Sequence, residues 1–320
     1  MSDNIASKEV WIVGSGLMAT EYTKILLHLN ITPVVVGRGD KSAVRFKQMT
    51  GVDVHTGGLR LFLSSNSPSE NTHIIIAVGT EMLIETLRLF SDLHFKNILV
   101  EKPAALSIEQ LLASRRGLEY ISDKIYVAYN RRNYRSVDKV LESLRRDGGL
   151  KSMHFEFTEW SHRIEDIEKP DGVKENWFFA NSTHVVDLAF FIAGRPLKMN
   201  SYSERGTLKW HERSRFSGAG ITAKGVLFSY NSNWESAGNW SLDLRTDKRR
   251  YLLNPLERIV YQERGSLEWN EIGLESGDYK EGVYSMVEQF LKGTNINLCS
   301  LEEHYWNTEF IYQKIIDGEH

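Results

Sequence analysis

At 320 residues the chain is longer than one ordinary core accommodates, so two domains are the expectation. With 41% hydrophobic and 25% charged residues, and no apolar run approaching a bilayer's thickness, the composition is that of a soluble globular protein. A net charge of −3 gives no global attraction to nucleic acid or to an anionic membrane, so neither is an expected partner. The opening MSDNIASKEV lacks the basic start and apolar core of a secretory leader. A single cysteine, Cys299, leaves no disulfide framework and no cysteine-based zinc site. Both observations favour the cytoplasm. Basic clusters at Arg131, Arg132 and Arg135 and at Lys248, Arg249 and Arg250 read most simply as solvated faces.

Along the first 130 residues, short apolar runs alternate with amphipathic segments of helical length, the pattern of βαβ units. Residues 10–13 read as a first strand, followed by a glycine turn and a helix to about 29. Residues 33–37 (PVVVG) read as the second strand and 42–49 as the helix after it. Later strands fall at 73–78 (HIIIAV), 97–100 and 124–129 (KIYVAY), with helices at 81–90 and 107–118. These strands are apolar on both faces, as parallel strands covered by helices must be. After Arg135 the character changes. A helix at 137–146 ends at Gly148 and Gly149, and alternating strands follow at 152–160 (SMHFEFTEW), 225–231, 240–245 and 258–262. Alternation implies one covered face and a mostly antiparallel sheet. Residues 284–292 and 301–316 close the chain as helices. The expected fold is therefore α/β: an N-terminal Rossmann doubly wound parallel sheet over 1–130, then an α+β domain with a large, mostly antiparallel sheet over 131–320.

Directly after the first strand comes Gly14-Ser15-Gly16-Leu17-Met18-Ala19, a GxGxxA turn that opens a helix. The first glycine permits the tight turn, the second lets backbone approach a pyrophosphate, and Ala19 keeps the helix close to the strand. Phosphates then sit on unpaired N–H groups at a positive helix end. The second strand ends in Gly37-Arg38-Gly39-Asp40-Lys41-Ser42, where an NAD site would carry an acid. Here Gly37 or Arg38 holds that position, and a guanidinium suits a 2′-phosphate by charge and fork geometry. Lys41 and Ser42 add contacts, while Asp40 reads as the cap of the next helix. NADP is thus expected in preference to NAD. Val78, Gly79 and Thr80, with Glu101, Lys102 and Asn130, complete the expected cofactor contacts.

At the end of the fifth strand, Glu101-Lys102-Pro103 puts Lys102 at the crevice where open α/β sheets bind ligands. Two more segments stand out: Tyr129-Asn130-Arg131-Arg132 after the sixth strand, and Asn176-Trp177 followed by Asn181-Ser182-Thr183-His184-Val185-Val186-Asp187. In this order the motifs resemble the Gfo/Idh/MocA family of sugar and polyol dehydrogenases, typified by glucose–fructose oxidoreductase and inositol dehydrogenase. The likeness runs over nearly the whole chain, to Ser300-Leu301-Glu302-Glu303 before the last helix. It implies a sheet whose exposed face builds homodimers or homotetramers, and a carbohydrate substrate, free or nucleotide-linked. Lys102 and His184 become the residues beside the nicotinamide, with Lys102 as electrophile or proton relay and His184 as general acid/base. His184 falls in the first turn of an apolar helix at 185–193, where a positive helix end disfavours imidazolium. Asp187 orients or packs rather than reacts, and no third ligand accompanies the pair, so no metal is expected.

On the substrate side, Asn130 and Arg131 lie at the sheet's carboxyl edge. Trp160, His162 and Arg163 follow the first strand of the second domain, a common place for sugar contacts in relatives. Trp177, Asn181 and Thr183 precede His184. Arg131, Arg132 and Arg163 make an anionic substrate attractive. The chain departs from the family at Ala180, where relatives carry an acid of the proton relay. The expected activity is reversible hydride transfer between NAD(P) and a secondary hydroxyl of a sugar, sugar nucleotide or cyclic polyol. The rival is a dinucleotide-binding sensor or scaffold with weak turnover or none.

Overall fold

The computed structural model describes residues 5–93, 95, 97–275 and 277–318; residues 1–4 of the opening segment read for a leader lie outside them. The chain divides into two compact units, Met1–Asn130 with Gly277–Tyr305, and Arg131–Ser276 with Trp306–His320. The first cut falls where the sequence changes character. A linear division at 130/131 omits one thing: the segment from Gly277 to Tyr305 packs with the first unit.

The first unit carries six parallel strands, β1 (Val10–Val13), β2 (Val34–Val36), β3 (Val54–His55), β4 (His73–Ile76), β5 (Ile98–Val100) and β6 (Ile125–Val127). Their spatial order is 3-2-1-4-5-6, with a short antiparallel strand at Cys299–Ser300 beside β6. This is the doubly wound order, and its ligands bind where the strand order reverses, beyond the ends of β1 and β4. Helices α1 (Leu17–His28), α2 (Asp40–Thr50), α3 (Leu59–Leu63), α4 (Leu83–Asp92) and α5 (Ile108–Leu118) connect them. Ile12, Ile75 and Leu99 are fully buried at the sheet's centre, which explains the uninterrupted apolar strands. The start of α5 is written locally. Ser107 accepts a hydrogen bond from the Gln110 N–H, and Gln110 Oε1 accepts one from the Leu106 N–H. By contrast, α2 begins at Asp40 with Gly39 as its cap residue, so Asp40 is a first-turn acid rather than the cap.

In the second unit, α6 (Arg135–Arg146) precedes β7 (Ser152–Phe157), α7 (Ser161–Ile164) and α8 (Thr183–Ala193). The strands β8 (Pro196–Glu204), β9 (Arg215–Thr222), β10 (Leu227–Asn233), β11 (Trp240–Arg245), β12 (Arg249–Leu253), β13 (Ile259–Glu263) and β14 (Asn270–Ile272) follow. Together they form one eight-stranded sheet in the order 14-13-12-11-7-10-9-8, antiparallel except for the β7–β10 pair. Alternation on β7 turns Met153, Phe155 and Phe157 inward, where Phe155 meets Phe190 of α8 edge-on at 5.7 Å. The expected architecture is the one observed.

Strand β9 was not legible because glycines occupy its middle. Gly218 and Gly220 pair with Tyr230 and Phe228 of β10, whose rings lie over them. A Cβ at Gly218 would come within 2.4 Å of the Tyr230 ring, and one at Gly220 within 2.1 Å of the Lys198 carbonyl oxygen. The aromatic covers the bare backbone that costs glycine its strand propensity. No helix among the described residues is long and apolar enough to cross a membrane.

The loop before β9 is held by a single carboxylate. Glu235 accepts from the Thr207 N–H at 2.7 Å, from the Thr207 hydroxyl, and from the Ser214 hydroxyl at 2.6 Å. These bonds favour the ionised form and hold its carboxyl at about 2, below the ordinary 4.5. The associated stability is present above the ordinary value and is lost as pH falls toward about 2. Glu235→Gln is expected to flatten the acid limb of denaturant midpoint against pH over that window. An unchanged limb would assign acid sensitivity to other carboxylates.

Candidate active site

The glycine turn is built by close approach. Gly14 has φ +122°, its N–H bonds the Val36 carbonyl at 2.8 Å, and a Cβ there would lie 2.2 Å from the Ala77 carbonyl oxygen. Any side chain at Gly14 would push the ends of β1 and β4 apart. At Gly16 the reverse holds: nothing lies within 4 Å of the Cβ position, so backbone is open to a ligand. Ala19 is fully buried under α1.

Beyond these strand ends lies a cavity of about 460 Å³, wholly within the first unit. Of the residues expected to contact a cofactor, Gly14, Ser15, Gly16, Arg38, Ser42, Val78 and Gly79 line it. Gly57, Gly58, Leu59, Arg60, Met82, Glu85 and Thr86 also line it, and the sequence reading missed these. A Cβ at Gly37 would lie 2.9 Å from both Ser15 Oγ and Val54 Cγ1, so an NAD-type acid has no room without displacement. Ser15 Oγ donates to Ser42 Oγ at 3.0 Å, and Ser42 Oγ donates to the Gly39 carbonyl. Lys41 sits on the exposed first turn of α2, and Leu17 is exposed on α1. Thr80 opens a short 3-10 turn after Gly79. The glycine cradle, open Gly16 backbone and basic wall fit a dinucleotide.

Around the EKP segment, Tyr22 of α1 donates to Glu101 Oε1 at 2.5 Å. Burial pushes the Glu101 carboxyl up, opposed by that bond and by the charges of Lys102 and Lys280. Burial, with the neighbouring Glu101 charge, pushes the Tyr22 phenol well up as well. Lys280 also reaches Met18 Sδ at 3.0 Å, and Asn130 donates to the Glu281 carbonyl. The segment after Gly277 thus meets the glycine-rich turn, which its sequence gives no sign of. From α9 (Leu301–Asn307), buried His304 donates through Nε2 to the Pro103 carbonyl at 2.9 Å, tying down the residue after Lys102.

His184 belongs to the second unit and Lys102 to the first. Contrary to expectation, His184 does not open its helix. Residues 177–193 are one helical run, widened by a π-helical turn at Phe178–Ser182, so His184 lies inside it. The dipole argument for a neutral imidazole therefore loses its basis. π-turns of this kind recur at functional sites. Ala180 lies on this turn.

A cavity of about 240 Å³ in the second unit gathers Trp160, Arg163, Trp177 and Asn181 from the sequence-predicted substrate residues, with Glu159, Asn239 and Trp240 beside them. Trp240 connects it to two others: the His184 ring centre is 6.1 Å away, and the Arg131 guanidinium lies 4.7 Å over the indole. Arg163 stacks on Trp160 at 4.4 Å. Thr183 is buried and bonds the Phe179 carbonyl, while His162 lies exposed on α7. Glu159, 6% exposed, is the residue sequence reading passed over. It accepts from Asn181 Nδ2 at 3.1 and 3.0 Å and from Ser182 Oγ at 2.7 Å, the two residues after Ala180. Its only sequence signal is a carboxylate at the end of an inward-alternating strand.

Arg132 does not serve the cavity. It grips Asp187 with Nε to Oδ2 at 2.7 Å and one terminal nitrogen to Oδ1 at 2.6 Å, the two side chains being 2% and 1% exposed. This pair joins the YNRR segment to the His-x-x-Asp helix, and it removes Arg132 from the case for an anionic substrate.

No protein-family model matches this chain, and no curated protein matches it significantly. Solved structures do match. An inferred NADPH-dependent oxidoreductase from Desulfitobacterium hafniense is 14% identical, with 97% of this chain and 95% of that one covered at a TM-score of 0.76. Levoglucosan dehydrogenase in complex with NADH is 14% identical, with 97% and 96% covered at 0.75. A UDP-N-acetylglucosamine 3-dehydrogenase from Acidithiobacillus ferrooxidans is 11% identical, with 97% and 96% covered at 0.70. The chain therefore has the two-part fold of these oxidoreductases, a doubly wound dinucleotide-type sheet followed by a large, mostly antiparallel one.

Proposed function

We propose that this protein is an NADP-dependent oxidoreductase acting on a secondary hydroxyl or keto group of a sugar or cyclic polyol. The observation that carries the reading is the cavity at the ends of β1, β2 and β4, with its open Gly16 backbone and Arg38 beside an acid position too tight for an acid. When bound, the nicotinamide supplies the carbon that takes or returns the hydride. Lys102 would hold the reacting oxygen and stabilise negative charge developing on it. His184 would exchange the hydroxyl proton. The indoles of Trp160, Trp177 and Trp240 suit the C–H faces of a ring, and Asn181 and Glu159 suit its hydroxyls.

With Arg132 committed to Asp187, and Arg131 and Arg163 each over an indole, hydroxyl recognition is favoured over anion recognition. Occupation of the 8-stranded sheet's outer face by a second copy belongs to the same reading. Titration of tryptophan fluorescence with NADPH and with NADH tests the cofactor. NADPH is expected to bind at least about tenfold tighter, the scale of one charge-assisted contact. Equal or tighter NADH binding overturns the Arg38 argument. Steady NADPH turnover with a panel of keto-sugars then separates an enzyme from a binding protein.

A further inference from the structure

On the β2–β3 side of the cavity two arginines line the wall, Arg38 and Arg60. The chain puts them there by an explicit device. β3 runs parallel to β2, with Val36 opposite His55, and the Gly37 N–H bonds the His55 carbonyl at 2.9 Å. Gly57 and Gly58 then take φ of +93° and +88°, and their N–H groups bond the carbonyls of Arg38 and Gly37 at 3.2 and 2.9 Å. The bare Gly58 faces the stem of Arg38, whose Cγ would be 3.6 Å from a Cβ there. This folds the chain back over the end of β2 and starts α3. Buried Leu59 and Phe62 anchor that helix, the Phe62 ring lying 5.1 Å from Trp11 and 4.7 Å from His55. Arg60 is left exposed at the cavity wall.

Among the described residues neither arginine makes an ion pair. The carboxylate of the wall, Glu85, comes from α4, which follows β4 rather than β2. Ser42, whose hydroxyl bonds Ser15 and the Gly39 carbonyl, lines the same cavity. Two arginines with no ion pair among the described residues, and a position 37 that admits an acid only by displacing Ser15 or Val54, suit a dianion.

We propose that Arg60 closes a two-guanidinium clamp with Arg38 on the 2′-phosphate of NADPH, and so determines cofactor specificity. This rests on the dinucleotide reading above. A phosphate monoester carries close to two negative charges at neutral pH, and one arginine leaves part of that charge uncompensated. A ribose 2′-hydroxyl has nothing to give the second guanidinium, so loss of Arg60 falls on NADPH alone.

The test is direct binding by the full-length protein, which needs no turnover. Arg60→Ala is expected to weaken NADPH about 10- to 100-fold while NADH changes less than about twofold. Arg60→Lys, keeping charge but losing the fork, is expected to fall between. Competition with 2′-AMP against 5′-AMP places the effect: only 2′-AMP should weaken in the alanine variant. An unchanged melting temperature confirms that exposed Arg60 serves no structural purpose. An NADPH affinity unmoved in Arg60→Ala overturns the clamp while leaving the dinucleotide reading intact. A parent protein that binds neither dinucleotide overturns that reading, and the clamp with it.

Discussion

Replacing Lys102 by alanine is expected to lower kcat/KM for hydroxyl oxidation by about 10³-fold, with the NADPH dissociation constant changing less than about threefold. The ammonium matters most when charge develops on the reacting oxygen, so kcat carries the loss rather than cofactor affinity. Lys102 follows β5 at the carboxyl edge of the sheet, and Pro103 is held from behind by His304, so the truncation leaves its surroundings supported. Stopped-flow reduction and fluorescence titration of the variant separate the two quantities. A variant with full activity would remove Lys102 from the chemistry.

The second large effect is on stability. Asp187→Ala removes the carboxylate that takes two hydrogen bonds from Arg132, a guanidinium 2% exposed and packed over Phe191 at 4.9 Å. Breaking a buried ion pair by removing one partner costs about 3–5 kcal/mol, so melting should fall by roughly 5–15 °C. The double change Arg132→Met with Asp187→Leu removes both charges and is expected to recover most of the loss. If the double variant is as unstable as the single one, the charges themselves are not the cause, and packing around α8 is. Arg132 and Asp187 stood out in the sequence for their motifs, not for each other. Fifty-five positions separate them, and only the fold reveals that one serves the other.

Several features were legible because their signal is local. Uninterrupted apolar runs marked β1, β2, β4, β5 and β6, since parallel strands are covered on both faces. The GxGxxA turn needed no tertiary knowledge either, because a positive φ and a close backbone approach leave only glycine at position 14. Strand β9 hid because its glycines make sense only beneath the rings of Tyr230 and Phe228. The helix carrying His184 was read from its apolar stretch, which begins after the histidine. Its true start at Trp177 is masked by a π-turn that shifts the helical period.

What the sequence by itself determined is the class of the molecule and the place of the glycine-rich turn, because propensity, alternation and glycine geometry act over a few residues. Which side chains share a wall was decided by tertiary structure alone. Arg60 comes to Arg38 through a glycine pair and a helix of five residues, too short for any periodicity. Glu159 comes to Asn181 and Ser182 because β7 ends beside the π-turn. Such meetings depend on where strands end in space, and a residue's identity carries no record of its distant neighbour.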